Sequence, residues 1–176
     1  MPSVDCDNAA GAAGAVRHLL GRSRHAIATV TGPLDVYGAR CRLDGYREAL
    51  TAAGLPVDGL LITDGDVTEE GGRRAVRELL ERRPAPDAVF AASDVMAVGA
   101  RRELRAAGRR IPEDVALVGF DDSVLARHMD PPLTSVRQPV EEVGRTMARV
   151  LPARMAGEPG EAAVVLPTEL VVREPS

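Results

Sequence analysis

Residues 115–120 read Val-Ala-Leu-Val-Gly-Phe, and two carboxylates, Asp121 and Asp122, follow at once. A strand covered on both faces has no polar alternation to display, so an apolar run that ends abruptly in acid reads as a buried parallel strand emptying onto a polar rim. Working outward, residues 88–92 repeat the pattern as Ala-Val-Phe-Ala-Ala and end on Ser93 and Asp94. Further upstream, strands are expected at 26–30 and 59–63, the first leaving through Thr31-Gly32-Pro33 and the second through Asp64 to Asp66.

Helical segments fill the intervals. Asn8 as N-cap and Gly21 as the residue after the last turn bracket a helix with Ala12, Ala15, Val16, Leu19 and Leu20 on one face. Residues 37–53 carry Ala39, Leu43, Tyr46, Ala49 and Leu50 at helical spacing and close on Gly54. Asp66 and Glu69 have capping-box spacing ahead of Ala75, Val76, Leu79 and Leu80, with Pro84 and Pro86 as the stop. Ser93 or Asp94 caps a fourth helix that ends at Gly108. Four successive strand-helix steps define the fold class: α/β, a parallel sheet flanked by helices on both faces. After Asp122 the order changes to a short segment, a strand at 133–138, a helix opened by Pro139 that Pro152 ends or kinks, and two short strands around Pro167.

Composition narrows the function. The 176 residues suffice for one well-filled core. Two Phe, two Tyr and no Trp leave few groups on which a ligand could stack. All 22 basic residues are Arg, scattered among acids, and the formal charge is −4, which argues against duplex DNA as a partner of this chain alone. Cys6 and Cys41 lack metal-ligand spacing, as do His18, His25 and His128, so free thiols and no metal are expected. There is no signal peptide pattern and no membrane-length apolar run, so the cytoplasm is the expected compartment. Dinucleotide, phosphate-loop and nucleophile-elbow motifs are absent from the sequence, and no cofactor is implied. A response-regulator receiver is disfavoured because the chain has no Lys.

In an open parallel sheet a ligand binds beyond the carboxyl ends of the strands. Those exits carry Gly32, Asp64 to Asp66, Ser93, Asp94, Asp121 and Asp122, with Arg40 and Arg42 early in the helix after the first exit. Short carboxylates and an arginine on one rim suit a polyhydroxylated ligand, because each can hold two neighbouring hydroxyls. Asp66, Ser93 and Asp94 serve either as helix caps or as ligand contacts. Asp121, with no long helix after it, is either a ligand contact or a structural turn.

Five stretches, "AVRHLLGRSRHAIATVTGP", "ARCRLDGYREAL", "FAASDVMAVGA", "IPEDVALVGFDD" and "PPLTSVRQP", together resemble the lactose/galactose-repressor family, in its order and across nearly the whole chain. The resemblance implies a periplasmic-binding-protein-like domain of two lobes that holds a small effector, a sugar or sugar derivative, in the cleft between them. On that pattern residues 1–7 are an inter-lobe crossover, 8–138 a C-terminal lobe, 139–160 a helix of the other lobe, and 161–176 closing strands that rejoin the first. Arg42 takes the place of the arginine that grips sugar hydroxyls, Asp121 of the carboxylate facing the ligand, Ser93 of a polar contact and Gln138 of the hinge position. Val67 stands where many sugar binders carry a stacking aromatic. The resemblance further implies a homodimer, DNA contact only through a helix-turn-helix preceding residue 1, and signalling without catalysis. Arg42→Ala is accordingly expected to abolish the effector response without disturbing the core. Two other functions fit the architecture: a solute-binding protein, and an α/β enzyme using Asp121 or Asp122 as nucleophile or metal ligand.

Overall fold

The computed structural model describes residues 3–82, 85–155 and 163–173. The chain opens with strand β1 (Ser3–Cys6) and helix α1 (Asn8–Gly21), then alternates: β2 (Ile27–Thr31), α2 (Tyr37–Ala52), β3 (Ile62–Asp64), α3 (Glu69–Arg82), β4 (Ala88–Ala91), α4 (Asp94–Ala106) and β5 (Ala116–Asp121). A short α5 (Val124–His128), β6 (Thr134–Arg137), a long α6 (Val140–Met155), β7 (Ala163–Leu166) and β8 (Glu169–Val171) complete it. The main sheet has six strands in the order β3-β2-β4-β5-β6-β8, parallel except for β8, which runs antiparallel to β6 at the edge.

Period-two alternation splits each apolar strand between two cores. Ala28 and Val30, Val89 and Ala91, and Leu117 face the layer made by α3 and α4, with Val76, Leu79, Met96 and Leu104. Ile27, Ala88 and Phe90, and Ala116, Val118 and Phe120 face α1 and α2, with Val16, Leu19, Leu43 and Tyr46. Each fully buried Val, Leu or Phe stabilises by about 1.5–3 kcal/mol. Within each layer the helices meet through glycine: a Cβ at Gly45 would lie 2.1 Å from the Ala9 carbonyl oxygen, and one at Gly99 would lie 1.9 Å from that of Glu69.

Local departures from expectation have simple causes. Residues 59–61 form a single 3-10 turn, because Asp58 accepts the Leu60 N–H at 2.9 Å, and the strand is delayed to Ile62. Asp7, not Asn8, caps α1 by accepting from the Ala10 N–H, which leaves the Asn8 side chain available. The Asp66–Glu69 capping box does not form. Thr68 accepts the Gly71 N–H instead, Asp66 accepts from Thr68, and Glu69 pairs with Arg102. Pro84, one of the two expected stops of α3, lies outside the described residues. Pro152 does not end α6, which continues to Met155: the proline falls within the last turn, where few later hydrogen bonds depend on it.

Only β8 of the two closing strands enters the main sheet. β7 pairs in parallel with β1 in a separate two-stranded sheet, against which α6 lies. Val140, Met147 and Leu151 of α6 are exposed. A hollow of about 270 Å³ opens beside them, lined by Ser3, Val4, Met147, Val150 and Leu151.

Candidate functional site at the carboxyl ends of the strands

Arg42 lies in the second turn of α2, directly over the end of β5. Its guanidinium carbon sits 3.8 Å from the centroid of the Phe120 ring. Its Nε donates to Asn8 Oδ1 at 2.8 Å and its Nη1 to the Ala92 carbonyl at 2.6 Å. Nη1 is also 3.6 Å from Asp121 Oδ1, while Nη2 has no hydrogen-bond partner among the described residues. Burial lowers the Arg42 pKa from its ordinary value, a trend opposed first by Asp121. Arg42 therefore carries packing as well as chemistry. The expectation that its removal would leave the core undisturbed is corrected: Phe120, Asn8 and Ala92 all lean on it.

Asp121 has φ of 115°, a conformation that a residue with a Cβ rarely adopts and that marks a functional or over-determined turn. Gln138 Nε2 donates to its Oδ1 at 2.6 Å, and about a third of its side chain is exposed (32%). Burial pushes the Asp121 carboxyl up, Arg42 pulls it down, and Asp94 pushes it up again. The structure thus brings Arg42, Asp121 and Gln138 together from three distant stretches of sequence.

The other two candidates stand apart from that group. Ser93 is buried and its Oγ accepts the Met96 N–H at 3.3 Å, so it caps α4 directly behind the carbonyl that Arg42 holds. Val67 is half exposed on the loop after β3, with φ of 63°, beside Gly32 at the exit of β2.

Asp94 was an alternative cap, and it does something else. It is wholly buried, accepting from Ser135 Oγ at 2.6 Å and from the Ser123 N–H at 2.7 Å. Burial raises its pKa against those bonds. The neighbouring Asp122, φ 51°, accepts from Arg137 Nε at 2.7 Å and Arg173 Nη2 at 2.6 Å, and its own N–H donates to Ser135 Oγ. Burial pushes the Asp122 carboxyl up, but the two arginines outweigh it and hold it below its ordinary value.

Three contributors went unread in the sequence. Asn8 is buried and turned toward Arg42, and the signal was the redundancy of two cap candidates in "CDN". Cys6 donates its S–H to Gln138 Oε1 at 3.1 Å, which no spacing announces. Tyr37 was passed over although the chain has only four aromatic residues: Tyr46, Phe90 and Phe120 are fully buried, while Tyr37 is 65% exposed at the start of α2. The one ring contact that Tyr37 makes among the described residues is with Arg40, whose guanidinium carbon lies 6.0 Å from the ring centroid. Among the described residues no group of three or more His, Cys, Asp or Glu could hold a metal ion, and no helix is long and apolar enough to cross a membrane.

A doubly covered parallel sheet with a polar rim of this kind defines a class, and residues 16–176 match the model of the periplasmic binding protein-like domain; the chain belongs to that family. Within it, the chain is 53% identical over 172 residues to the HTH-type transcriptional regulator CelR of Thermobifida fusca, covering 97% of this chain and 51% of the relative. It is 37% identical over 174 residues to the HTH-type transcriptional repressor CytR of Escherichia coli, covering 98% of this chain and 51% of the relative. The solved structure of a CelR–cellobiose complex superposes with a TM-score of 0.97 at 51% identity, over all of this chain and 54% of the other. A LacI-family regulatory protein from Chloroflexus aggregans gives a TM-score of 0.90 at 39% identity, over 98% of this chain and 63% of the other. The chain spans about half the length of the curated relatives it matches. Those relatives are regulators of transcription.

Proposed function

We propose that this chain is the effector-binding half of a LacI-type transcription regulator and that its effector is a neutral sugar, with a disaccharide of the cellobiose kind as the first candidate. The observation that carries the reading is the pairing of Arg42 with Asp121 on a partly open rim, with Gln138 bonded to the same carboxylate. The Arg42 guanidinium and the partly exposed Asp121 carboxylate, 3.6 Å apart, offer donors and acceptors on one rim, which is the demand of vicinal hydroxyls. Tyr37, exposed at the start of the helix that carries Arg42, is the aromatic side chain available to give a sugar ring an apolar face. Relatives that regulate transcription, one solved with cellobiose, support this reading.

On this proposal residues 8–138 and β8 form one lobe, residues 1–7 and Gln138 lie at crossovers, and α6 belongs to a second lobe, with β7 paired to the crossover strand β1 instead of rejoining the first lobe. The exposed α6 residues and the hollow at Val4 and Met147 support that division. Ser93 acts by shaping the loop rather than by touching ligand, and Val67 closes the rim on the β3 side. A helix-turn-helix segment outside this sequence contacts DNA, a homodimer is the working unit, and the cytoplasm is its compartment. Closure of the two lobes on the sugar biases that dimer's geometry.

The test is calorimetry of the chain with cellobiose, glucose and ribose, beside Arg42→Ala. An isolated half-cleft cannot exclude water, so its hydrogen bonds largely replace bonds to solvent and affinity falls to about the millimolar range. Weak cellobiose binding that vanishes in Arg42→Ala supports the reading. No heat from any sugar at tens of millimolar, or full retention in the variant, overturns it.

A further inference from the structure

The rim residues and the first crossover are joined in a closed circuit. Arg42 Nε donates to Asn8 Oδ1 at 2.8 Å, and Asn8 Nδ2 donates to the Cys6 carbonyl at 3.1 Å. The Cys6 thiol donates to Gln138 Oε1 at 3.1 Å, Gln138 Nε2 donates to Asp121 Oδ1 at 2.6 Å, and Asp121 faces Arg42 at 3.6 Å. The loop passes through β1, α1, α2, the end of β5 and the residue after β6. It therefore ties both described crossovers to the pair proposed to hold the effector.

Each link fixes the next. An amide presents two donors on nitrogen and an acceptor on oxygen, so Gln138 can steady a carboxylate in one orientation only. Were it turned over, Oε1 would meet Asp121, acceptor against acceptor. The thiol on the opposite side selects the useful orientation, because a protonated sulfur is a donor and meets Oε1. Cys6 is suited to keep that proton: it is buried, and burial together with the Asp5 charge raises its pKa. An aliphatic side chain at this position would fill the same space without reading the amide.

We infer that Cys6 is a positioning residue, whose S–H donor orients the Gln138 amide and through it holds the Asp121 carboxylate against Arg42. The effector rim and strand β1 are then one hydrogen-bonded unit. A ligand that draws Asp121 or Arg42 toward itself pulls on Gln138 and Cys6 at the crossovers, the places where one lobe would have to turn against the other. The circuit itself stands on the geometry; its consequence for effector response rests on the function proposed above.

The experiment reads the two parts separately. Carbon-detected NMR titration of the Asp121 carboxyl in the 176-residue chain needs no ligand. The groups facing that carboxyl are Arg42 from α2, Asp94 from α4 and Gln138 after β6. In Cys6→Val, which keeps bulk but has no donor, the Asp121 pKa should rise, since a bond to the charged form has been weakened. The Gln138 side-chain amide protons should also exchange faster with water. Cys6→Ser, which restores a donor, should return both toward wild type. An unchanged Asp121 pKa and amide exchange in Cys6→Val overturns the inference, and so does a Cys6→Ser variant that behaves like Cys6→Val. Weakened cellobiose binding in Cys6→Val, by about threefold to tenfold, is the expected second readout, a shift of that size being one ordinary hydrogen bond. If the ligand-free readouts move and no sugar binds at all, the circuit stands and the proposed function fails.

Discussion

Asp121 and Asp122 are neighbours on one turn, both with positive φ and both at the end of the same strand, yet they head two different polar regions. Around Asp122 every partner is supplied from within: two arginines on its carboxylate, Ser135 on its N–H, and Asp94 binding Ser135 from below. Around Asp121 the supply is thinner, with one arginine at 3.6 Å, the Gln138 amide, the Asp94 backbone N–H and an open side. A saturated carboxylate such as Asp122 is scaffold, because it leaves nothing for a ligand to satisfy. An under-satisfied cluster on a rim leaves bonds for a ligand to complete, which is what the proposed effector site requires. The positive-φ turn is anchored by the first region and presents Asp121 to the second.

The sharpest way to break the comparison is at Asp94. Asp94→Ala leaves the Ser135 hydroxyl and the Ser123 N–H buried without their acceptor, and we expect a loss of about 2–4 kcal/mol in urea unfolding. A loss below 1 kcal/mol would mean that the cluster is not the scaffold described. Arg42→Ala comes next. It should abolish sugar binding and also lower stability by about 1–2 kcal/mol, since Asn8 and the Ala92 carbonyl lose their donor. An unchanged unfolding midpoint would restore the view of Arg42 as a pure ligand contact.

The pH dependence separates the two carboxylates more finely. The Asp122 carboxyl is held below its ordinary value in the folded state, so its contribution is fully present above the unfolded value of about 4 and is lost as pH falls through the folded one. Asp122→Asn should therefore flatten part of the acid limb of stability against pH, leaving the parts due to Asp114 and Glu103, which are depressed likewise. Asp94 has the opposite sign: its raised value means that ionisation on rising pH opposes folding. The smallest effect on stability belongs to Tyr37→Ala, within about 0.5 kcal/mol by thermal unfolding because the ring is exposed. The same change should weaken cellobiose binding a few-fold in calorimetry, through loss of an aromatic face worth about 1 kcal/mol.

Much of this was legible in the sequence, for identifiable reasons. Continuous apolar runs such as residues 88–92 and 115–120 announce doubly covered strands, and acid after each run announces the rim. Arg42 and Asp121 were readable because strand exits converge whatever lies between them. What stayed hidden depended on which of two equivalent side chains wins a local bond. Asp7 rather than Asn8 caps α1, Ser93 rather than Asp94 caps α4, and Thr68 rather than Asp66 opens α3. In the first two cases the displaced residue turns inward and builds the polar machinery, a choice set by tertiary neighbours such as Arg42 and Ser135 that local spacing does not contain. Cys6 was illegible for the same reason: its partner, Gln138, is 132 residues away.

The measurement that reaches the central claim most directly is a proton–nitrogen and methyl NMR titration of the chain with cellobiose, with the Arg42 guanidinium and Gln138 amide assigned. Saturable shifts at Arg42 Nε, the Gln138 side-chain amide, the Tyr37 ring and residues 119–121, with Ser135 and the Arg137 and Arg173 guanidinia unmoved, are the predicted result. Shifts centred on the Asp122 cluster or elsewhere on the surface, or none at tens of millimolar sugar, would contradict it.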